Sequence, residues 1–141
     1  MTTFLSTINA SILLIISLLH FFWGLGGRWG LAQSLPTNEQ GETVLKPDAM
    51  ACFVVAFGLL CMSVYVFGFS KMINLPLPNL VSKYGIWVIA LIFLARAIGD
   101  FNYVGFSKKI KTTRFAMLDT LYYSPLCLYL GLTSILIALT V

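Results

Sequence analysis

Arg96, Asp100 and Tyr103 have the spacing that most directly suggests chemistry, because they are polar residues at regular intervals after a long apolar stretch. In a helix, residues at positions i, i+4 and i+7 lie on one face. This spacing therefore predicts an ion pair between the Arg96 guanidinium and the Asp100 carboxylate. A guanidinium is also a strong ligand for carboxylate and phosphate groups. The pattern thus predicts a polar helix face that attracts an anionic group.

Two further sets of residues have helical spacing. His20 and Trp23 are separated by i+3, and Asp119 is separated from Tyr122 and Tyr123 by i+3 and i+4. Histidine can exchange a proton near neutral pH, and aromatic rings can border an apolar tail. The three sets together form the predicted ligand-binding residues: His20, Trp23, Arg96, Asp100, Tyr103, Asp119, Tyr122 and Tyr123.

The same polar residues also have a purely structural interpretation, since hydrogen bonds between polar side chains hold membrane helices together. The sequence contains no nucleophile with a positioned base and no cofactor motif, so no catalytic residue or cofactor can be assigned. Cys52, Cys61 and Cys127 lie in apolar runs without CxxC spacing. They are therefore interpreted as ordinary thiols, and no metal site is predicted.

The composition indicates which elements position these residues. The chain of 141 residues is 59% hydrophobic and 10% charged, whereas a soluble domain carries about 25% charged residues. Part of its surface must therefore face lipid. The net charge of +4 comes from scattered basic residues rather than a basic face, so nucleic-acid binding is not predicted.

Four apolar stretches are long enough to cross a bilayer, because a spanning helix needs about 20 apolar residues. Pro47 and Asp48 form a favourable start for the second helix, and Pro125 predicts a local kink beside Tyr122 and Tyr123. We predict an all-α fold, a four-transmembrane-helix bundle that forms a single membrane domain over residues 1–141. The helices are expected at about residues 4–23, 49–70, 83–104 and 119–141.

Basic residues are distributed unequally between the two sides of this bundle. Lys71 and Lys83 lie on the side of the second loop, whereas the first and third loops carry Arg28, Lys46, Lys108, Lys109, Lys111 and Arg114. Cytoplasmic loops of membrane proteins are enriched in lysine and arginine. The first and third loops are therefore predicted to be cytoplasmic, and both termini are predicted to lie outside the cytoplasm.

The chain resembles the bacterial Domain of Unknown Function 3995 family in the order of four short motifs. They are His20-Phe21-Phe22-Trp23-Gly24, Arg96-Ala97-Ile98-Gly99-Asp100-Phe101, Phe115-Ala116-Met117-Leu118-Asp119 and Tyr123-Ser124-Pro125-Leu126-Cys127. The resemblance covers nearly the whole chain. It implies a small four-helix, multi-pass protein of the bacterial inner (plasma) membrane, and it implies no catalytic role for any residue.

Three functions remain open at this stage. The leading hypothesis is a non-enzymatic protein that binds, or helps to move, a small amphiphilic or anionic ligand at a polar pocket near the cytoplasmic leaflet. The second is an enzyme acting on a lipid-soluble substrate, in which His20 and Asp119 or Asp100 exchange protons.

The third hypothesis is a structural or accessory subunit. Its small-residue faces, Gly58 to Ser63 and Gly131 to Ser134, would pack against another membrane protein. The expected partners under these hypotheses are membrane lipid, a small amphiphilic ligand, and either a membrane-protein partner or further copies of the chain.

Overall fold

The computed structural model describes residues 2–71 and 73–140 and confirms the predicted all-α fold. In chain order the helices are α1 (Thr2–Gly24), α2 (Leu31–Ser34), α3 (Ala49–Gly68), α4 (Asn79–Ile98), α5 (Arg114–Leu118) and α6 (Ser124–Ala138). A single π-helical turn, Asp119–Tyr123, joins α5 to α6 without a break.

Four helical segments are long and apolar enough to cross a membrane, as predicted: Thr2–Gly24, Ala49–Gly68, Asn79–Ile98 and Arg114–Ala138. Many of their large apolar side chains point outward, among them Val54, Phe57 and Leu91. Such extensive exposed apolar surface is unfavourable in water but compatible with lipid. The fold is therefore that of a multi-pass membrane protein.

Small polar side chains hold α1 against α3. The Ser17 hydroxyl donates to the carbonyl oxygen of Ala56 at 2.7 Å, and the Ser63 hydroxyl donates to that of Ala10 at 2.7 Å. Both serines are buried. Small residues let helix backbones approach closely, and hydrogen bonds then stabilise a contact for which lipid supplies no hydrophobic driving force.

The second pair consists of α4 and α6, which are also packed closely. A Cβ atom added at Gly131 would lie 2.7 Å from Cγ of Leu94 and 3.2 Å from its backbone nitrogen. The two pairs are joined by α1 and α6, where the amide of buried Asn9 donates to the Thr133 hydroxyl at 2.8 Å. The result is one four-helix bundle.

The loops and termini divide between two ends of this bundle. The hydroxyls of Thr2 and Thr140 are hydrogen-bonded at 3.0 Å, so the start of α1 and the end of α6 lie together. We call this the termini end, and it includes the loop of residues 69–78. The loops of residues 25–48 and 99–113 lie at the opposite end, which we call the loop end.

The helix boundaries follow from local capping. The Asp48 carboxylate accepts from the backbone N–H of Ala51 at 2.8 Å, which confirms the predicted start of α3. Thr113 caps α5 in the same way, at 3.1 Å from the N–H of Ala116. The fourth spanning segment therefore begins at Arg114 rather than at 119.

Candidate functional site

The chain leaves α4 at Gly99 and folds back over the end of that helix. Gly99 has a φ of 94°, which ends the helix at Ile98 rather than at 104. The backbone N–H of Phe106 then donates to the carbonyl of Ala97 at 2.8 Å, and that of Ser107 donates to Ile98 at 3.1 Å. The returning loop thereby satisfies carbonyls that the helix end would otherwise leave unpaired.

Two glycines allow two backbone segments of this loop to pass close to each other. A Cβ atom at Gly99 would collide with the carbonyl oxygen of Val104, and one at Gly105 would collide with the backbone of Gly99. Gly105 also has a positive φ, 86°. Only residues without a side chain allow the two backbone segments to pass this closely.

Asp100 lies in this loop, and the predicted ion pair between Arg96 and Asp100 is wrong. Oδ1 of Asp100 instead accepts from the backbone N–H groups of Asn102, Tyr103 and Val104 at 3.0, 2.8 and 2.9 Å. The prediction failed because α4 ends before Asp100, so the i+4 spacing no longer places the two side chains on one helix face. Asp100 stabilises the loop instead.

The hydrogen bonds to Asp100 also set its protonation. Burial acts to raise the pKa of Asp100, but the hydrogen bonds from the amides of Val104, Tyr103 and Asn102 outweigh burial. These bonds favour the charged form, so the pKa of Asp100 lies below its ordinary value. The carboxylate is therefore ionised at neutral pH.

The actual partner of Arg96 is Asp119, which is fully buried. Nη2 of Arg96 donates to its Oδ1 at 2.9 Å. Its Oδ2 accepts from Nζ of Lys108 at 3.0 Å, from the N–H of Gly105 at 2.8 Å and from the Ser124 hydroxyl at 3.1 Å. We call this set of residues the Asp119 cluster. It ties α4, the returning loop and α6 together.

Lys108 is the cluster residue that sequence reasoning missed, since its loop position suggested a topology signal. Its side chain is only 1% exposed. Besides Asp119, its ammonium donates to the carbonyl of Gly105 at 3.0 Å and to the Thr120 hydroxyl at 2.7 Å. All three N–H groups are therefore used. Asp119, a carboxylate at the edge of an apolar run, was the available signal that a nearby cation must be buried with it.

The π-helical turn shapes the other side of the cluster. The backbone N–H of Ser124 donates to the carbonyl of Asp119, which is an i+5 bond instead of i+4. Pro125 follows at once and has no N–H to donate. A π-helical turn accommodates such a lost bond and is common at functional sites. The irregularity predicted beside Tyr122 and Tyr123 is thus a π-helical turn.

The Asp119 cluster contains more positive than negative charge. It holds one carboxylate and two cationic side chains, Arg96 and Lys108. Whereas Lys108 is enclosed, the Arg96 side chain is 34% exposed. Its Nη1 atom is itself buried but has no hydrogen-bond partner among the described residues. An orphaned guanidinium N–H in a site with excess positive charge is suited to an oxyanion.

His20 and Trp23 form a separate group at the end of α1. The Nδ1 atom of His20 lies 2.8 Å from the carbonyl oxygen of Ile16, and its ring centroid lies 4.9 Å from that of Trp23. The Trp23 indole donates to the carbonyl of Trp29 at 2.8 Å. In the described parts of the chain, no hydrogen bond or ring contact connects this pair to the Asp119 cluster.

The predicted tyrosines also separate. The Tyr123 hydroxyl donates to the carbonyl of Gln33 at 3.3 Å and so attaches the first loop to the fourth spanning segment. Tyr122 is 63% exposed, and Tyr103 takes part in the loop through its backbone N–H. The structure thus brings the predicted ligand-binding residues together only in pairs: Arg96 with Asp119, Asp100 with Tyr103, and His20 with Trp23.

Comparison with protein families matches residues 13–134 to the family described as "Protein of unknown function (DUF3995)". The match covers most of the chain, which therefore belongs to this family, and the resemblance inferred from the four motifs is confirmed. Searches of curated proteins and of solved structures gave no match.

Proposed function

We propose that this member of the family is a non-enzymatic membrane protein that binds, or helps to move, a small anionic amphiphile at the loop end. The single observation that carries this proposal is the orphaned Nη1 atom of Arg96. Nη2 is held by Asp119 at 2.9 Å, so the guanidinium is fixed in orientation before any ligand arrives. A preorganised donor of this kind binds an anion at a lower entropic cost.

The amphiphilic character of the ligand is inferred from the surroundings of Arg96. Ile92 lies one turn earlier on the same face of α4 and is 43% exposed. An anionic group at Arg96 would therefore have a lipid-facing apolar side chain on the same helix face for its tail. Small-molecule sites commonly combine a few fixed polar groups with such an apolar lining.

We place the protein in the bacterial inner membrane, with the loop end facing the cytoplasm. The loop end carries most of the basic residues, and cytoplasmic loops are enriched in lysine and arginine. The ligand would then be drawn from the cytoplasmic leaflet.

The two other hypotheses have less support from the contacts. His20 is hydrogen-bonded to a backbone carbonyl, and Asp119 already accepts from four donors, so the acid–base pair of an enzyme has no supporting geometry in the described residues. For an accessory subunit, Ser63 and Gly131 are already used in contacts within the chain. Both hypotheses remain predictions.

The proposal can be tested with dodecyl phosphate as the probe, by native mass spectrometry of the full chain in a neutral maltoside detergent. Arg96→Lys keeps the charge and a donor for Asp119 but lacks Nη1. We expect it to lose about tenfold in affinity, the value of one charge-assisted hydrogen bond. Arg114→Gln is the matched control, because Arg114 is an exposed guanidinium at the same end. It should bind within about twofold of wild type.

Helical content and monodispersity must first be equal for all three proteins, so that a loss of binding is not a loss of fold. The proposal would be abandoned if Arg96→Lys bound dodecyl phosphate as wild type does. Equal losses in Arg96→Lys and Arg114→Gln would also contradict it, since they would indicate a general attraction to positive charge.

A further inference from the structure

An apolar groove runs between α3 and α4 near the termini end. It has a volume of about 520 Å³, and its walls include Cys61, Tyr65, Val81, Tyr84 and Val88. This volume is within the range of pockets that hold small organic ligands, about 300–1,000 Å³. The groove is separate from the Asp119 cluster, which lies at the opposite end of the same helix.

A polar cavity adjoins this groove at the termini end. Its volume is about 550 Å³, and its polar lining includes Thr2, Lys71, Asn74, Ser82 and Thr140. Tyr65 and Leu77 line both the groove and the cavity, so the two spaces adjoin at these residues. Together they place an open apolar groove beside a polar cavity, which matches the apolar and polar parts of an amphiphile.

Tyr65 fixes the junction between the two spaces. Its hydroxyl donates to the carbonyl of Val81 at 3.0 Å, which holds the ring across the gap between α3 and α4. A Cβ atom at Gly85 would lie 2.8 Å from the hydroxyl of this ring, so Gly85 leaves the space that the ring occupies. The junction is thus determined by two residues on facing helices, Tyr65 on α3 and Gly85 on α4.

Charge at the termini end favours an anionic occupant. Lys71 lines the cavity, and its ammonium has no hydrogen bond or ion pair among the described residues. The acidic residues are all far from it in the fold, in the loops of the loop end or at its helix starts: Glu39, Glu42, Asp48, Asp100 and Asp119. Among the described residues, no acidic side chain lies at the termini end to compete for the lysine.

From these observations we propose that the chain binds one anionic phospholipid in the leaflet of the termini end. The headgroup phosphate would lie in the polar cavity at Lys71, and one acyl chain would lie in the groove between α3 and α4. This site is independent of the proposed function at Arg96, and it lies in the opposite leaflet.

The probes are phosphatidylglycerol and phosphatidylcholine with identical acyl chains, added to the full chain in mild detergent and counted by native mass spectrometry. We expect one retained phosphatidylglycerol and at least fivefold weaker retention of phosphatidylcholine. Lys71→Gln should lower phosphatidylglycerol retention about fivefold. The matched control is Lys83→Gln, which removes a lysine at the same end that lies over the ring of Tyr84 rather than in the cavity, and it should stay within twofold.

The groove is tested separately. Cys61→Trp fills it and should abolish specific retention, whereas Val64→Trp places the same indole at an exposed position of α3 outside the groove and should leave retention unchanged. Arg96→Lys should leave phosphatidylglycerol retention unchanged, which separates this site from the one at the loop end. Equal retention of both lipids, equal effects of Lys71→Gln and Lys83→Gln, or a Cys61-linked dimer that excludes lipid would each overturn the proposal.

Discussion

At the scale of single residues, Asp119 has four hydrogen bonds to lose. Its carboxylate accepts from two cationic side chains, one backbone N–H and one hydroxyl, and it is fully buried. Removal of one member of a buried ion pair leaves uncompensated charge, which costs about 3–5 kcal/mol. Asp119 is therefore a residue that holds the bundle together at the loop end.

We predict that Asp119→Asn, which keeps the size of the side chain, lowers the free energy of unfolding by about 3 kcal/mol or more. The change leaves Arg96 and Lys108 facing each other without an anion. Thermal unfolding in detergent, followed by circular dichroism, measures the effect. Glu39→Gln is the control, because Glu39 is an exposed acidic residue of the same end. Similar melting of Asp119→Asn and wild type would contradict this role.

Asp100 yields a prediction about pH. Its folded pKa lies below the ordinary value of 3.8, because its hydrogen bonds to backbone amides favour the charged form. A lowered pKa contributes stability above the unfolded pKa, and this contribution is lost as pH falls through the folded pKa. Wild type should therefore melt above Asp100→Asn at pH 7, and the difference should shrink below about pH 4. A difference that is independent of pH would refute the charge effect.

The sequence predicted the participants at this scale better than their pairing. Arg96 and Asp119 were both selected, but Arg96 was assigned to Asp100 because the spacing matched a helix face. The physical reason for the error is that α4 ends before Gly99, where the backbone turns away from the helix axis. This turn depends on close contact between the backbones of Gly99 and Gly105. Such a contact between loop segments leaves no periodic pattern in a sequence. Lys108 was missed for the same reason, since it is buried only when that loop folds back.

At the scale of elements, the four spanning helices were predictable because apolar length alone determines them. The residues at which these helices begin and end were harder to predict. The start of α3 at Asp48 has a recognisable capping residue, whereas the π-helical turn after Asp119 depends on how the chain accommodates Pro125. The pairing of α1 with α3 and of α4 with α6 depends on small residues on particular faces, which the sequence contains at many positions.

The packing of α4 on α6 predicts opposite effects for two glycine substitutions. Gly58→Ala adds a methyl group in open space, so it should stabilise α3 by up to about 1 kcal/mol through helix propensity. Gly131→Ala forces the methyl group against Leu94 and should destabilise the bundle by about 1–3 kcal/mol. Melting temperatures of both variants in one detergent give the comparison. Stabilisation by both substitutions would show that α4 and α6 are not in close contact.

At the scale of the whole molecule, charge and polarity divide between the two ends. The loop end holds the buried Asp119 cluster and all the acidic residues, whereas the basic side chains of the termini end are Lys71 and Lys83. The two proposed sites follow this division. Arg96 is held in place by a carboxylate, whereas Lys71 has no ion pair with any described residue. An anion would therefore meet a guanidinium held by a carboxylate at the loop end and a flexible-stemmed lysine ammonium at the termini end.

The same division predicts the orientation of the protein. The loop end carries six basic residues of the first and third loops: Arg28, Lys46, Lys108, Lys109, Lys111 and Arg114. Because the Lys108 ammonium is buried in an ion pair with Asp119, the five others are the exposed basic residues that can act as the topology signal. We expect a phosphatase fused after residue 141 to be active, and a fluorescent protein fused there to be dark.

A sharper test reverses the distribution of basic residues between the two ends. It shows whether the lysines and arginines of the loops cause the orientation. Replacement of Lys109, Lys111 and Arg114 by glutamine, with lysines added beside Lys71, should lower phosphatase activity at the C-terminus and raise fluorescence there. Lys108 is left intact, so the buried cluster can still form and the helical content should be preserved. If the exposed basic residues orient the chain, phosphatase activity must fall and fluorescence must rise in the same variant. If orientation is unaffected, the basic residues of the third loop do not determine which end stays in the cytoplasm.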